Sequence, residues 1–250
     1  MPPGSTMAAI QARGRLIAGV DQAKYLAGYR DPATGDLRGA DIDLVHRIAG
    51  ALLGDPSRVQ FVVLNATDRV GAIQRGQVDM VVNTFTVTCA RQRDVEFSTD
   101  YLRAAQRILV PVSSPVREVE DLAGKRVCTS RGSTTEEELR SLPARLDLVL
   151  RPGVPDCMLE LQQGRVAGVS SDDVILAGLA AQDPTTHVVG RSLAAARYAI
   201  GMSPAHPDLV RFVNGVLEGM RADGSMAALD QQWFGGLTPV PELAVARYRD

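Results

Sequence analysis

Cysteine is sparse and scattered in this sequence: Cys89, Cys128 and Cys157 stand apart, with no Cys-x-x-Cys spacing. Three such residues are too few for a disulfide scaffold. The histidines His46, His187 and His206 are equally isolated, so no metal centre is legible and no cofactor is expected. Aromatic residues make up only 4% of the chain, which leaves Val, Leu, Ile and Ala to build the core. No uncharged stretch is longer than the 12 residues 1–12, short of the roughly 20 apolar residues of a membrane-spanning helix. An integral helical membrane protein is excluded.

Neither sign of charge is in excess, with 27 Lys+Arg against 29 Asp+Glu and a formal charge of −2. Lys24 and Lys125 are the only lysines, and the arginines are dispersed. Nucleic-acid binding, which needs a basic excess or stripe, is disfavoured. The common catalytic signatures are missing too: there is no G-x-G-x-x-G, no P-loop, no H-E-x-x-H and no G-x-S-x-G. The N-terminus shows no basic–apolar–small secretion pattern, which leaves the compartment open.

Short β-branched runs alternate with longer amphipathic segments over the 250 residues. The pattern predicts strands near 16–20, 59–64, 78–82, 107–111, 126–129, 146–150, 167–170, 187–189 and 198–202. It predicts helices over 67–76, 133–141, 155–163, 172–181, 207–222 and 225–234, and one N-capped by Asp41 with Ile42, Val45, Ile48, Ala49 and Leu52 at helical spacing. Alternating strands and helices indicate an α/β protein with mainly parallel sheets.

Three places carry chemistry. Paired carboxylates occur at Asp41/Asp43, Glu136–Glu138 and Asp172/Asp173. The first two read as helix starts, where acidic groups meet the macrodipole favourably. Asp172 differs, because it follows an apolar strand at the carboxyl edge of a parallel sheet, where α/β folds place ligands; capping is the competing role. The run Asn83-Thr84-Phe85-Thr86-Val87-Thr88 with Arg91 behind it offers hydroxyls and a guanidinium fork for an anion. Arg131-Gly132-Ser133-Thr134-Thr135 passes from a strand into a helix N-terminus, which also suits an anion.

At these places the chain resembles the extracytoplasmic amino-acid-binding proteins of ABC uptake systems, of the glutamine/glutamate/aspartate type. An ordered series from about Gly14 to Gly235 carries the likeness: Gly39-Ala40-Asp41-Ile42-Asp43-Leu44, Gly76-Gln77-Val78-Asp79, Thr86-Val87-Thr88 with Arg91, Val95-Glu96-Phe97-Ser98, and Asp121-Leu122-Ala123-Gly124-Lys125. It continues with Gly132-Ser133-Thr134, Asp172-Asp173-Val174-Ile175-Leu176-Ala177-Gly178 and Trp233-Phe234-Gly235. Three departures stand out: Ala40, Lys24-Tyr25 and Ala66 occupy positions where such proteins often carry a ring.

The resemblance implies the two-lobed type II periplasmic-binding-protein fold, an α/β architecture with two crossover strands and a ligand cleft between the lobes. Lobe 1 would hold residues 1–101 and 193–250, and lobe 2 residues 102–192. Hinge closure around the ligand is expected. Arg91 would grip the α-carboxylate of an amino acid, helped by Thr86, the Thr84 backbone, Ser133 and Thr134, and Asp172 would take the α-ammonium. A zwitterion leaving water needs each charge matched, since an unpaired buried charge costs several kcal/mol.

At the side-chain end, Arg69 stands where glutamate/aspartate-binding relatives hold a distal carboxylate; a surface position on its helix is the alternative. Lys24 is a second cation, and Asp21 or Ser130 would suit an amide. Glutamate and aspartate are favoured, with asparagine and glutamine as alternatives. Actinobacterial-like members of the family carry two matching cysteines, which implies a Cys128–Cys157 disulfide and a free Cys89. That in turn implies a monomer outside the cytoplasm, anchored through an N-terminal lipid and serving an ABC permease. The competing readings are a sensor module that signals to a membrane partner and, further off, a cyclohexadienyl-dehydratase-like enzyme, whose general acid would have to be Asp21, Asp172 or Asp173, with Asp172 already given to the ammonium.

Overall fold

The computed structural model describes residues 2–236; residues 237–250 of the expected first lobe lie outside the described residues. From the N-terminus run α1 (Thr6–Arg13), β1 (Leu16–Val20), β2 (Ala23–Lys24), β3 (Gly28–Arg30), β4 (Leu37–Arg38), α2 (Ala40–Leu53), β5 (Val59–Val63), α3 (Arg69–Gln74), β6 (Met80–Val81) and β7 (Glu96–Phe97). Next come β8 (Leu102–Pro111), β9 (Arg126–Ser130), α4 (Thr134–Ser141), β10 (Asp147–Arg151), α5 (Val154–Gln162), β11 (Gly168–Asp172), α6 (Asp173–Gln182), β12 (Thr186–Val189) and β13 (Ala195–Tyr198). The chain then forms β14 (Gly201–Met202), α7 (Pro207–Ala222) and α8 (Ser225–Phe234).

Two larger sheets organise these elements. The first has the order β5-β1-β6-β14-β7, and the second β10-β9-β11-β8-β12 with β13 paired to β8. β1 lies parallel to β5 and β6, and β9 lies parallel to β10 and β11. β8 and β13 run antiparallel, Ala195 against Ala105 and Tyr198 against Leu102, and carry the chain out to the second sheet and back. β14 runs antiparallel to β6 and β7, and β8 antiparallel to β11 and β12, so both sheets are mixed rather than mainly parallel; the α/β class and the two crossover strands are as expected.

The helices form where apolar residues recur on one face. α2 buries Ile42, Leu44, Val45, Ile48, Ala49 and Leu52, and α7 buries Leu209, Val210, Val213, Leu217 and Met220. Each such side chain contributes about 1.5–3 kcal/mol on leaving water. Under β8 and β9 a separate apolar cluster gathers Ile108, Val110, Val127 and Leu139. Cys128 on β9 and Cys157 on α5 are joined by a disulfide, both fully buried, while Cys89 is free and exposed.

The structure corrects the local reading at several points. Gly39, not Asp41, caps α2; its φ is 126°, and a Cβ there would strike the Ala27 carbonyl. Asp41 falls inside the first turn, with its carboxylate buried. The single strand expected over 198–202 divides into β13 and β14, because the chain leaves one sheet and enters the other within it. α1 and the small sheet β2-β3-β4 form where the sequence pattern predicts no element. That small sheet turns Lys24 back over the end of β1.

Candidate functional site

The ends of the parallel strands in the two sheets face each other across a small, partly open cavity of about 30 Å³. One wall supplies Lys24, Ala66, Arg69, Thr84 and Thr86. The opposite wall supplies Ser130, Ser133 and Thr134 from β9 and the start of α4, and Asp172 from the end of β11. Strand ends and helix starts are where α/β folds leave backbone donors unpaired, so a polar ligand belongs there.

On the first wall two guanidinium groups share one ring. Arg69 lies 4.5 Å and Arg91 5.1 Å from the centroid of Phe85, whose side chain is fully buried. Stacking on a ring face holds a guanidinium without using its edge donors. Arg69 is buried, which removes the surface alternative; its Nε donates to the Ala66 carbonyl at 3.1 Å and its Nη1 to the Asn83 carbonyl at 3.1 Å. Burial, and then the charge of Arg91, bring Arg69 down to about 9, still protonated at neutral pH. Arg91 is lowered by burial too, offset by Glu137 and Asp172; its Nη1 donates to the Thr86 carbonyl at 2.7 Å and its Nη2 to the Gly132 carbonyl at 3.4 Å. Arg91 thereby touches both walls.

Thr84 takes a positive φ of 41°, an uncommon conformation for a residue with a side chain. Asp41 holds it there: its Oδ2 accepts from the Thr84 N–H at 2.9 Å, and its Oδ1 from the Tyr101 hydroxyl at 2.6 Å. The expected donation from the Thr84 backbone to a ligand carboxylate is therefore corrected, because that N–H already serves Asp41. Lys24 is similarly committed. Its Nζ lies 3.1 Å from Asp21 and donates to Asn83 Oδ1 at 2.7 Å and Thr84 Oγ1 at 2.8 Å. Asp21 stands behind the cavity as the partner of Lys24.

On the second wall the Ser133 hydroxyl caps α4, accepting from the Glu136 N–H at 3.1 Å and donating to the Ser130 carbonyl at 2.6 Å. Among the described residues no hydrogen-bond partner is found for the Thr86 and Thr134 hydroxyls, which line the cavity. Asp172 occupies the N-cap position of α6 without capping it. Its carboxylate accepts instead from the Tyr198 hydroxyl. Burial raises the Asp172 carboxyl above the usual carboxylate range, partly countered by that hydrogen bond.

Sequence reasoning missed Asn83 as the anchor of both Lys24 and Arg69, and Asp41, Tyr101 and Tyr198 as supports. Only the Asn83–Thr88 run gave a signal for any of these. The tyrosines make their contacts across 60 and 26 residues, and no local pattern reports that.

Asp41 carries a pH signature. Desolvation lifts its carboxyl from 3.8 to about 6, against the hydrogen bond from Tyr101 and the charge of Lys24. The native state then holds this proton more tightly than the unfolded chain, so stability falls as pH rises from about 4 to about 6 and is level outside that window. The gap of about two units corresponds to about 3 kcal/mol. Urea unfolding of wild type and Asp41→Asn at pH 7 and pH 4 will show their stability difference changing by up to that amount, in favour of wild type at the lower pH. A difference that is the same at both pH values removes the assignment.

Known proteins resemble this chain over most of its length. Residues 16–236 match the model of the bacterial extracellular solute-binding proteins, family 3. The chain is 28% identical over 230 residues to the ABC transporter glutamine-binding protein GlnH of Bacillus subtilis, covering 92% of this chain and 84% of that one. It is 30% identical over 198 residues to the glutamine-binding protein of Geobacillus stearothermophilus, covering 79% and 76%. Among solved structures, the solute receptor for L-cysteine of Neisseria gonorrhoeae superposes with a TM-score of 0.87 at 27% identity, covering 92% of this chain and 94% of that one. The chain belongs to the family 3 bacterial extracellular solute-binding proteins.

Proposed function

We propose that this protein captures a polar L-amino acid between its two sheets and delivers it to an ABC transporter. The supporting observation is the opposition of charge across the cavity: Arg69 stands on one wall and Asp172 on the other, with Arg91 beside Arg69 on the shared Phe85 ring. A zwitterion meets a match for each of its charges there, with the α-carboxylate on Arg91, Thr86 and Thr134 and the α-ammonium on Asp172. Residues 2–101 with 193–236, and residues 102–192, act as the two lobes that part and close. The buried disulfide suits a protein that works outside the cytoplasm, tethered near its membrane partner. The relatives named above are binding proteins, and the site is one of binding without turnover.

Among polar ligands the amide comes ahead of the acid. Lys24 is paired with Asp21 and donates to Asn83 and Thr84, and Arg69 spends its Nε and Nη1 on backbone carbonyls. A distal carboxylate would find the Arg69 Nη2 donors but would lie close to the negative charge of Asp21, which already neutralises Lys24. An amide needs no countercharge, and Ser130 on the facing wall offers it a hydroxyl acceptor. This reading places glutamine and asparagine above glutamate and aspartate, the order opposite to that suggested by Arg69 in the sequence, and it accords with the two glutamine-binding relatives.

Calorimetric titration with the twenty L-amino acids tests both levels. Glutamine should bind at least about tenfold more tightly than glutamate, and Asp21→Asn should narrow that ratio, because one like charge is removed. Tighter binding of glutamate by wild type would reverse the amide order yet leave amino-acid capture standing. No heat from any of the twenty would remove both. Transport and sensing are separated by the membrane protein that co-purifies, a permease in the first case and a signalling receptor in the second.

A further inference from the structure

Tyr198 is fully buried on β13, one of the two strands that pass between the sheets. Its backbone is tied to the first wall and to the other crossover. It pairs with Leu102 and forms a bridge with Thr86, and its carbonyl accepts from the Tyr101 N–H at 2.8 Å. Its hydroxyl reaches the second wall and donates to Asp172 Oδ2. Among the described residues it is the one side chain from which the Asp172 carboxylate accepts a hydrogen bond. A single residue thus joins the hinge strand and the Thr86 strand end through its backbone and the carboxylate of the opposite wall through its side chain.

We infer that Tyr198 is a positioning residue: it aims the Asp172 carboxylate at the ligand ammonium and couples that aim to the position of the crossover strands. The inference rests on the proposed role of Asp172 as ammonium acceptor. A phenol that occupies one carboxylate oxygen leaves the other for the ligand and fixes the plane in which it is presented. Were the hydroxyl absent, the buried carboxylate would hold its proton more readily, since a hydrogen bond to the charged form favours that form. The other ionisable groups that face Asp172 are Asp173 beside it on α6, Lys24 on β2, Arg69 on α3, and Arg91. None of them changes when only the phenol oxygen is removed.

The test compares wild type, Tyr198→Phe, Asp172→Asn and the double variant, with L-glutamine and L-glutamate as probes titrated calorimetrically from pH 4.5 to 8. Tyr198→Phe should weaken binding about tenfold at pH 7 and move the acid limb of the affinity profile up by about one unit. On the Asp172→Asn background the same change should have no further effect, because the carboxylate it acts through is gone. The carbon-13 titration of the Asp172 carboxyl in unliganded protein should move up by the same amount, which supports the coupling independently of any ligand. Should Tyr198→Phe fail to fold, biosynthetic 3-fluorotyrosine, a stronger donor of nearly the same shape, should move the limb down.

Wild-type affinity and an unchanged acid limb in Tyr198→Phe, with Asp172→Asn impaired, overturn the inference and leave the proposed function intact. Full affinity in Asp172→Asn overturns the ammonium role itself and the inference with it. An acid limb that does not move with 3-fluorotyrosine also overturns the inference.

Discussion

Arg91→Ala abolishes amino-acid binding while the protein stays folded. The guanidinium rests on the Phe85 ring, with Nη1 on the Thr86 carbonyl and Nη2 on Gly132 of the facing wall. It bonds to backbone on both sides of the cleft, and removing it would leave a ligand carboxylate desolvated without its fork of donors. Such a loss costs roughly 2–5 kcal/mol, which is about 30-fold or more in affinity. Arg91→Lys does not restore binding, because a point ammonium cannot stack on Phe85 and donate in two directions at once. Calorimetry on the two variants, with circular dichroism as the check on folding, decides this. Affinity within a factor of three of wild type in Arg91→Ala would falsify the assignment.

The disulfide carries the second large effect. Cys128 and Cys157 are 29 residues apart, so the bridge closes a loop that the reduced chain leaves open. On the chain-entropy account such a loop is worth about 3.6 kcal/mol. The double variant Cys128→Ser/Cys157→Ser should lose about that much in urea unfolding. Because both sulfurs are fully buried, mild reductant should leave native wild type bridged and convert it only under denaturing conditions. Thiol counting on denatured, unreduced protein should find one free thiol, at Cys89. Three free thiols, or equal unfolding midpoints for wild type and the double variant, would remove the bridge as a source of stability.

How far the site could be read from sequence depends on where each contact lies along the chain. Thr86, Arg91, Ser133, Thr134 and Asp172 stand at strand ends and helix starts, features that follow from periodicity and turn chemistry. Their supports do not. Tyr198 meets Asp172, and Tyr101 meets Asp41, through contacts set by how two sheets pack. Arg69 could be read as a surface residue because α3 is only Arg69–Gln74, too short to show which face it buries. The small sheet β2-β3-β4 escaped for the same reason, since strands of two or three residues carry no alternation. Asp41 was mistaken for a cap because cap and buried second turn residue share the same letter; the φ of 126° at Gly39 decides between them.

The smallness of the cavity has a kinetic meaning. About 30 Å³ admits one or two water molecules, so an amino acid fits between these walls only if they move apart to take it in. Its dwell time is then the waiting time for the walls to separate, and weakening a ligand contact shortens that wait only so far as the contact also holds the walls together. Arg91 through Gly132, and Tyr198 through Asp172, are contacts of that kind. Handing the cargo onward becomes mechanical work done on the protein: a receiver that pries the two sheets apart sets the rate of release, whatever the strength of binding inside.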